Sequence, residues 1–525
     1  MSSCENPNTD KDALMTRRQK FDGQTKICVK CKQNTGNVVV RYAVYCKSCF
    51  FLLVQTRFRK VLEPSINAVP DEPRRKALRA VGSLVIGFSG GTSSTALLDL
   101  VAKTYFAPRT IGDAKDDAAL KGGKDHPRNA EKGIWKGNPA VCYVEVCGAF
   151  PGEKDRIEEI REVVGYAGKP FEYIPLRLED AFDPNWWDRI GGGNIGTSAR
   201  ILGLDLSDEG LRLVHSSSNL NPHDALRMYL SSLPTQTAFY SAIQILIRIL
   251  LLHTAASRKA SHLVLGTSLT ALSVNLISGI AQGAGFAVAE EAKEEWNPRP
   301  EQGIKVRVLR PMKDIGMKEC AIWDWWNGLR EHGRGKNAIG ALTRDFIYGL
   351  ESDYPATVST VARTCAKLTP KEGSNGVCIM CERPAQHGVQ GWKARISIRS
   401  YHEASSAVSG KSRPPHLTED EISNLTKFPV NSSSATSNSA SLTARLCYAC
   451  HTLLTSRSSR GTSSNPAGNS SDVPLPLWVH PTIGSADAGN PVDNQGEADE
   501  GTRSVKLSRK DMESRIADFL LPDSE

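Results

Sequence analysis

Apolar runs of strand length alternate with longer, partly apolar segments through the middle of the chain. The short runs lie at 84–88, 140–146, 171–178, 263–266 and 306–310. The longer segments lie at 92–102, 153–164, 237–257, 269–280 and 314–335. Strands that alternate with helices predict an α/β fold with a doubly wound parallel sheet.

Composition divides the whole chain into five predicted parts. They are a disordered tail at 1–25, a metal knuckle with a basic helix at 26–62, the α/β domain at 74–370, C-terminal knuckles at 371–455 and a mostly disordered tail at 456–525. A serine-rich insertion at 403–442 interrupts the C-terminal knuckles. Disorder is predicted because serine-rich segments lack the apolar residues that offset the entropy cost of ordering.

Two stretches, 238–252 and 262–289, are apolar enough to raise the question of a membrane span. The first is short and contains Arg248, and the second is interrupted by glycine and asparagine. Both are therefore predicted to lie in the core rather than in a membrane. The first twenty residues carry no apolar segment typical of a leader, so a cytoplasmic location is expected.

Basic residues are concentrated at the N-terminus. Residues 1–80 hold 16 Lys/Arg and 7 Asp/Glu, a net charge of +9, whereas the whole chain carries +8. A basic segment next to a metal knuckle indicates a polyanion partner such as a nucleic acid. Arg57, Arg59 and Lys60 are the predicted nucleic-acid-binding residues, and a solvated basic arm is the alternative.

Eight of the 13 cysteines form four Cys-x-x-Cys pairs. Cys28, Cys31, Cys46 and Cys49 have the spacing of a zinc ribbon, and four thiolates suit tetrahedral zinc. Cys378, Cys381, Cys447 and Cys450 predict a second zinc site, although 65 residues separate its two pairs. Unrelated buried thiols and an iron–sulfur cluster are the alternatives, and the latter is not expected.

A glycine-rich turn follows the first predicted strand and opens a helix, where backbone N–H groups can bind phosphate. The turn comprises Ser89, Gly90, Gly91, Thr92, Ser93 and Ser94. It lacks the Gly-Lys-Ser/Thr ending of a Walker A loop and resembles the Ser-Gly-Gly-x-Asp-Ser pattern of PP-loop ATP pyrophosphatases. Ser93 stands in place of the acid, so the loop is predicted to be a degenerate form of the ATP-binding loop; a purely structural turn is the alternative.

Further motifs extend this resemblance to one family. They are 266–270, 309–314 and 357–368, together with the Cys-x-x-Cys pairs and the loop at 88–94. With them the chain resembles the cytoplasmic tRNA 2-thiolation protein 2 family. The resemblance implies a PP-loop fold and a heterodimer with a catalytic PP-loop paralogue that thiolates the wobble uridine of tRNAs for Lys, Glu and Gln. It also implies sulfur delivery by a thiocarboxylated ubiquitin-related modifier, the agent of protein urmylation.

Three functional hypotheses follow. The missing acids at the loop and at 266–271, and the absence of a catalytic Cys-x-x-Cys before the helix at 237–257, favour a subunit without catalytic residues. An active ATP-dependent thiouridylase that uses Cys365 as sulfur carrier is the second hypothesis. A zinc-dependent RNA-binding scaffold unrelated to thiolation is the third.

Overall fold

The structure is a computed structural model that describes thirteen segments of the chain. They are 27–66, 78, 80–106, 134–135, 137–166, 171–190, 220–292, 294–297, 305–329, 338–368, 376–386, 446–455 and 475–479. The predicted tail at 1–25 and the serine-rich insertion at 403–442 lie outside the described residues, as does most of 456–525.

A six-stranded sheet forms the centre of the described structure. Its strands are β3 (Ser83–Gly87), β4 (Ala140–Glu145), β5 (Glu172–Arg177), β6 (Ala260–Leu265), β7 (Glu294–Trp296) and β8 (Val306–Leu309). They lie in the order β5-β4-β3-β6-β8-β7, with every neighbouring pair parallel except the antiparallel pair β7–β8. A separate antiparallel hairpin joins β1 (Val38–Val40) to β2 (Ala43–Tyr45). The predicted α/β fold is confirmed, and the short charged strand β7 was not predicted.

Eleven α-helices lie among the described residues. They are α1 (Lys47–Ile66), α2 (Thr92–Val101), α3 (Ile157–Tyr166), α4 (Pro184–Arg189), α5 (Pro222–Ser232), α6 (Gln236–Ser257), α7 (Leu269–Ala281), α8 (Met317–Asn327), α9 (Ala338–Asp353), α10 (Pro355–Cys365) and α11 (Tyr448–Thr455). Short 3-10 helices occupy Cys147–Ala149, Leu178–Phe182, Ala284–Glu291 and Leu477–Val479, and a π-helical turn, Ala102–Phe106, follows α2.

Helices cover both faces of the sheet. Alternate strand residues point to opposite faces: Leu84 and Ile86 pack against α1, α2, α3 and α8, and Val85 packs against α5 and α6. The sheet is therefore doubly wound, as predicted. The first cysteine knuckle joins one face through α1, and the second knuckle packs on the other face beside α6.

Helix α6 is the one described helix long and apolar enough to cross a membrane. Its Ala242, Leu246 and Ile249 are buried in the core that covers the sheet. Packing against the sheet thus accounts for its apolar composition, as the sequence predicted.

Three local details differ from the sequence predictions or add to them. Residues 180–233, for which the sequence predicts no element, include α4 and α5, and α5 begins where Asn221 caps the backbone N–H of His223. Helix α8 ends at Asn327 rather than near 335 because Gly328 adopts a left-handed conformation that terminates it. Residues 475–479, within the tail predicted to be mostly disordered, contain the buried Trp478 and Val479.

Candidate metal centres and phosphate loop

The N-terminal cluster, Cys28, Cys31, Cys46 and Cys49, brings four thiols together as the sequence predicted. All four Sγ atoms lie within 4.8 Å of one another, and the Sγ atoms of Cys31 and Cys46 are 3.8 Å apart. The first pair lies in a turn closed by the bridge between Ile27 and Thr35. The second pair spans the start of α1.

Backbone N–H groups favour the thiolate form of the first pair, Cys28 and Cys31. Burial raises the pKa of the Cys28 thiol, but backbone N–H groups including those of Cys31 and Cys46 outweigh it and lower that pKa to about 6. Burial raises the pKa of Cys49 to about 12, with hydrogen bonds from the neighbouring thiols adding to the rise. Because metals bind thiolates, a cation that binds here displaces protons from the thiols. It also offsets the repulsion between four closely spaced sulfurs.

The C-terminal cluster, Cys378, Cys381, Cys447 and Cys450, forms across the 65-residue gap. Its four Sγ atoms also lie within 4.8 Å of one another, and those of Cys381 and Cys447 are 3.7 Å apart. The pairing of these two distant Cys-x-x-Cys motifs in one site was predicted, and the geometry bears it out.

The two clusters share one local design. In each, the first pair occupies a turn closed by a single bridge, between Ile27 and Thr35 or between Val377 and Pro384. In each, the residue after the second cysteine, Lys32 or Glu382, has a positive φ of 55° or 51°. The second pair then lies at the start of a helix, α1 or α11. The matching backbone shows that the same ligand arrangement is built twice.

Charged side chains surround the turn of the C-terminal cluster and connect it to strand β7. Arg383 pairs with Glu291 at 2.5 Å, and Arg310 contacts the same carboxylate at 3.3 Å. Burial raises the pKa of Glu291, but Arg383 and Arg310 outweigh this and lower it to about 2. Arg248 of α6 pairs with Glu294 and donates to the carbonyl oxygen of Cys381 at 2.5 Å.

Aromatic residues complete this connection. Trp296 of β7 donates through Nε1 to Glu382 at 2.8 Å, and His253 of α6 lies 3.2 Å from the other oxygen of that carboxylate. Trp478 donates to the carbonyl oxygen of Met380 at 3.0 Å and is almost fully buried. The segment 475–479, here called the strap, therefore covers the turn of the C-terminal cluster. No local pattern in the sequence predicts the strap, because its partners are distant along the chain.

The predicted phosphate loop lies where the strand order reverses. Strand β3 pairs with β4 on one side and β6 on the other, and ligands of open α/β sheets bind at such a point. Gly90 has a positive φ of 77°, which favours glycine, and α2 begins at Thr92. The loop predicted from sequence is thus at the expected edge of the sheet.

Side chains of the loop bind one another and the core. Ser94 donates to the carbonyl oxygen of Gly91 at 2.8 Å and lies 3.1 Å from the hydroxyl of Ser89. Ser93, in the position of the PP-loop acid, is buried and donates to Met317 Sδ at 3.2 Å. A buried thioether is a poor neighbour for a carboxylate, so this site suits a hydroxyl and not the acid of the pattern.

The loop after β6 packs tightly against the start of α2. A Cβ at Gly266 would lie 2.6 Å from Cα of Ser94, so only glycine fits without a shift. Beyond it, Thr270 donates to Glu351 of α9 at 2.7 Å and accepts from the backbone N–H of Met317 at 2.9 Å. Burial raises the pKa of Glu351. Sequence reasoning missed this carboxylate because α9 was not predicted and lies far along the chain.

The three predicted tRNA-binding residues differ in their surroundings. Arg57 pairs with Glu319 of α8 at 2.7 Å and is mostly buried, so its charge is used within the chain. Arg59 pairs with Glu63 at 2.5 Å on the exposed side of α1, and Lys60 is exposed. The tRNA-binding prediction therefore depends on Arg59 and Lys60.

Cys365, the candidate sulfur carrier, is not activated. Its side chain lies in the small core formed by α7, α9 and α10, and burial raises its pKa. A thiol with a raised pKa is a poor nucleophile at neutral pH. Cys142 is fully buried in β4.

Comparison with known proteins places these features in one group. A family model described as cytoplasmic tRNA 2-thiolation protein 2 matches residues 338–452. Proteins of that name are similar to the chain: those of Danio rerio and Rattus norvegicus are both 26% identical, over 68% and 67% of this chain and 71% and 69% of their own lengths. The protein of that name from Coccidioides immitis is 22% identical, over 68% of this chain and 87% of its own. The resemblance predicted from the motifs is confirmed.

One solved structure is also similar to the chain, with lower sequence identity. It is the U34-tRNA thiolase NcsA of Methanococcus maripaludis with its 4Fe-4S cluster, 16% identical, with a TM-score of 0.39 over 65% of this chain and 87% of that chain. This TM-score is too low to define the fold, which follows instead from the strand order and from the helices that cover both faces of the sheet.

Proposed function

We propose that this chain, which is similar to cytoplasmic tRNA 2-thiolation protein 2 over about two thirds of its length, serves in 2-thiolation of the wobble uridine of tRNA. It acts in the cytoplasm as a PP-loop-type subunit without catalytic residues. Its partner is a paralogous PP-loop subunit that activates the uridine, and the sulfur comes from a thiocarboxylated ubiquitin-related modifier.

The observation that carries the non-catalytic role is the environment of Ser93. Its hydroxyl donates to Met317 Sδ inside the core, and the loop after β6 closes on the start of α2 at Gly266. Magnesium-supported adenylation needs carboxylate oxygens around the phosphates. Glu351 near this edge accepts a hydrogen bond from Thr270, which in turn accepts from the backbone N–H of Met317. Glu145, at the end of β4, accepts from the backbone N–H groups of Val146 and Cys147.

The two cysteine clusters are proposed to bind zinc. A tetrahedral ion with Zn–S bonds of about 2.3 Å sets its sulfurs about 3.8 Å apart. The measured Sγ separations of 3.8 Å and 3.7 Å fit that geometry. In a four-iron cluster each thiolate binds a different iron, which spreads the sulfurs more widely. Four Sγ atoms within 4.8 Å of one another favour a single ion.

A reconstituted thiolation assay tests the function. It contains the purified chain, ATP, magnesium, a thiocarboxylated donor and unmodified tRNA, with or without the PP-loop partner. We expect 2-thiouridine only when both subunits are present, and no gain from Ser93→Asp in the lone chain. Thiolation by the lone chain that is lost in Cys365→Ser would support the active-enzyme hypothesis. Unchanged 2-thiouridine in cells that lack the chain would support the scaffold hypothesis.

Elemental analysis tests the metal assignment. We expect about two zinc ions per chain, one of which is lost in Cys28→Ser/Cys31→Ser. Iron in stoichiometric amount with visible absorption would overturn zinc.

A further inference from the structure

An exposed tryptophan lies on α8, the helix that packs against α1. Trp325, near the end of α8, is 76% exposed. Its ring stacks on Trp326, with centroids 6.3 Å apart and planes 27° from parallel. Trp326 is itself fixed edge-on against Phe50 of α1 at 5.3 Å. The exposed ring therefore stands on a rigid aromatic support.

Cationic side chains lie next to this support. The ammonium group of Lys47, between two cluster cysteines, is 5.7 Å from the ring centroid of Trp326. Lys47 is exposed, and its backbone N–H donates to the Asn37 side chain of the knuckle. Lys103, in the π-helical turn after α2, donates to the Asn327 side chain of α8 at 2.7 Å and also pairs with Asp99. The ammonium group of Lys47 therefore lies against Trp326, the ring on which Trp325 stacks.

We propose that Trp325 is a stacking platform for an unpaired RNA base, with Lys47 placed to contact the adjoining phosphate. An exposed ring with an ammonium group beside its aromatic support suits an unpaired, negatively charged strand, because every base has a face to stack and every nucleotide carries a charge. The proposal rests on the proposed function and deepens it by naming the surface that meets the RNA.

The position of Lys47 links this surface to the N-terminal cluster. Cys46 and Cys49 flank it at the start of α1, so metal binding fixes the backbone from which its ammonium group projects. The cluster then has a role in RNA binding through Lys47, whereas Trp325 is fixed independently through α8.

Binding of labelled RNA to the full-length chain tests the proposal. Two probes are used, a stem–loop with an unpaired loop and a blunt duplex with the same number of phosphates. We expect Trp325→Ala to weaken stem–loop binding about five- to a hundredfold and to leave duplex binding unchanged. Trp325→Phe should retain most of the affinity. Lys47→Ala should weaken both probes and reduce the salt slope by about one.

Leu342→Ala is the matched control, since Leu342 is 79% exposed on α9 and its loss should not affect either probe. Thermal melting of each variant checks that the fold is intact. If Trp325→Ala binds the stem–loop as tightly as the wild type, the platform is overturned while the proposed function stands. If it loses co-purification with the PP-loop partner and retains RNA affinity, the surface is a protein interface. A wild-type chain that binds neither RNA nor partner contradicts the proposed function itself.

Discussion

The two cysteine clusters share a backbone design but differ in what they hold together. The N-terminal cluster gathers residues 28–49, a short stretch, and its knuckle meets the core through α1. The C-terminal cluster joins 378–381 to 447–450, and arginines, a strap and strand β7 enclose it. Identical ligands can therefore serve a surface module in one place and the core in another. The surroundings, and not the ligand set, determine which.

The difference predicts unequal consequences of metal loss. Without the C-terminal ion, the turn that places Arg383 beside Glu291 loses its fixed shape, and buried charges lose their partners. Breaking a buried ion pair costs about 3–5 kcal/mol. We therefore expect Cys378→Ser/Cys381→Ser to unfold or aggregate the chain, the largest effect proposed.

The matched variant, Cys28→Ser/Cys31→Ser, should unfold only the knuckle. Phe50 and Phe58 keep α1 on the sheet because both are fully buried. Hydrogen exchange should show fast amides at 28–45 and protected amides in β6. Equal loss of protection in both double mutants would show that the clusters have the same role.

The ion network gives a second, smaller test. Glu294 pairs with Arg248, whose pKa burial lowers to about 9. Glu294→Gln leaves that guanidinium without a carboxylate, and we expect a loss of about 3 kcal/mol in urea unfolding. Glu158→Gln is the control, because its pair with Arg161 is exposed and should contribute less than about 1 kcal/mol. If the two variants lose similar amounts of unfolding free energy, the buried ion pairs do not help to hold the C-terminal cluster on the core.

The features that could be predicted are those formed by residues close together in the sequence. The N-terminal cluster, the strands and the loop at 89–94 are local patterns, so spacing and periodicity reveal them. Glu351, Trp478 and the arginines around Glu291 act across large sequence separations. Each looks like an ordinary surface or loop residue until the fold brings its partner near. Arg57 shows the reverse error, since a basic residue predicted to bind RNA pairs with Glu319.

The stability of the packing between α1, which carries the N-terminal knuckle, and the sheet should depend on pH. His262 in β6 approaches the carbonyl oxygen of Ser65, near the end of α1, at 3.3 Å. Burial lowers the pKa of His262 to about 4. In the unfolded chain the His262 side chain is protonated below about pH 6.5. The stability that neutral His262 contributes is therefore present above that pH and is lost as pH falls toward about 4.

We expect the free energy of unfolding to fall by about 2 kcal/mol over this window, and by less in His262→Gln. Urea titrations at several pH values measure it. A wild-type slope that His262→Gln leaves unchanged would assign the acid sensitivity to other groups, the thiolates foremost.

The strap over the C-terminal cluster should slow metal release there and nowhere else. Trp478 donates to the Met380 carbonyl oxygen at 3.0 Å, between the two cysteines of the first pair. Trp478→Phe keeps most of the apolar contact and removes that hydrogen bond, which contributes about 1 kcal/mol. Release of the C-terminal ion to a colorimetric chelator should then become about fivefold faster. Release of the N-terminal ion should not change, since it lies on the opposite face of the sheet. Trp325→Phe is the control, an equal change at an exposed position. If both ions leave faster in Trp478→Phe, the strap stabilises the whole fold rather than its own cluster. The two clusters would then differ only in the buried ion pairs around the C-terminal one.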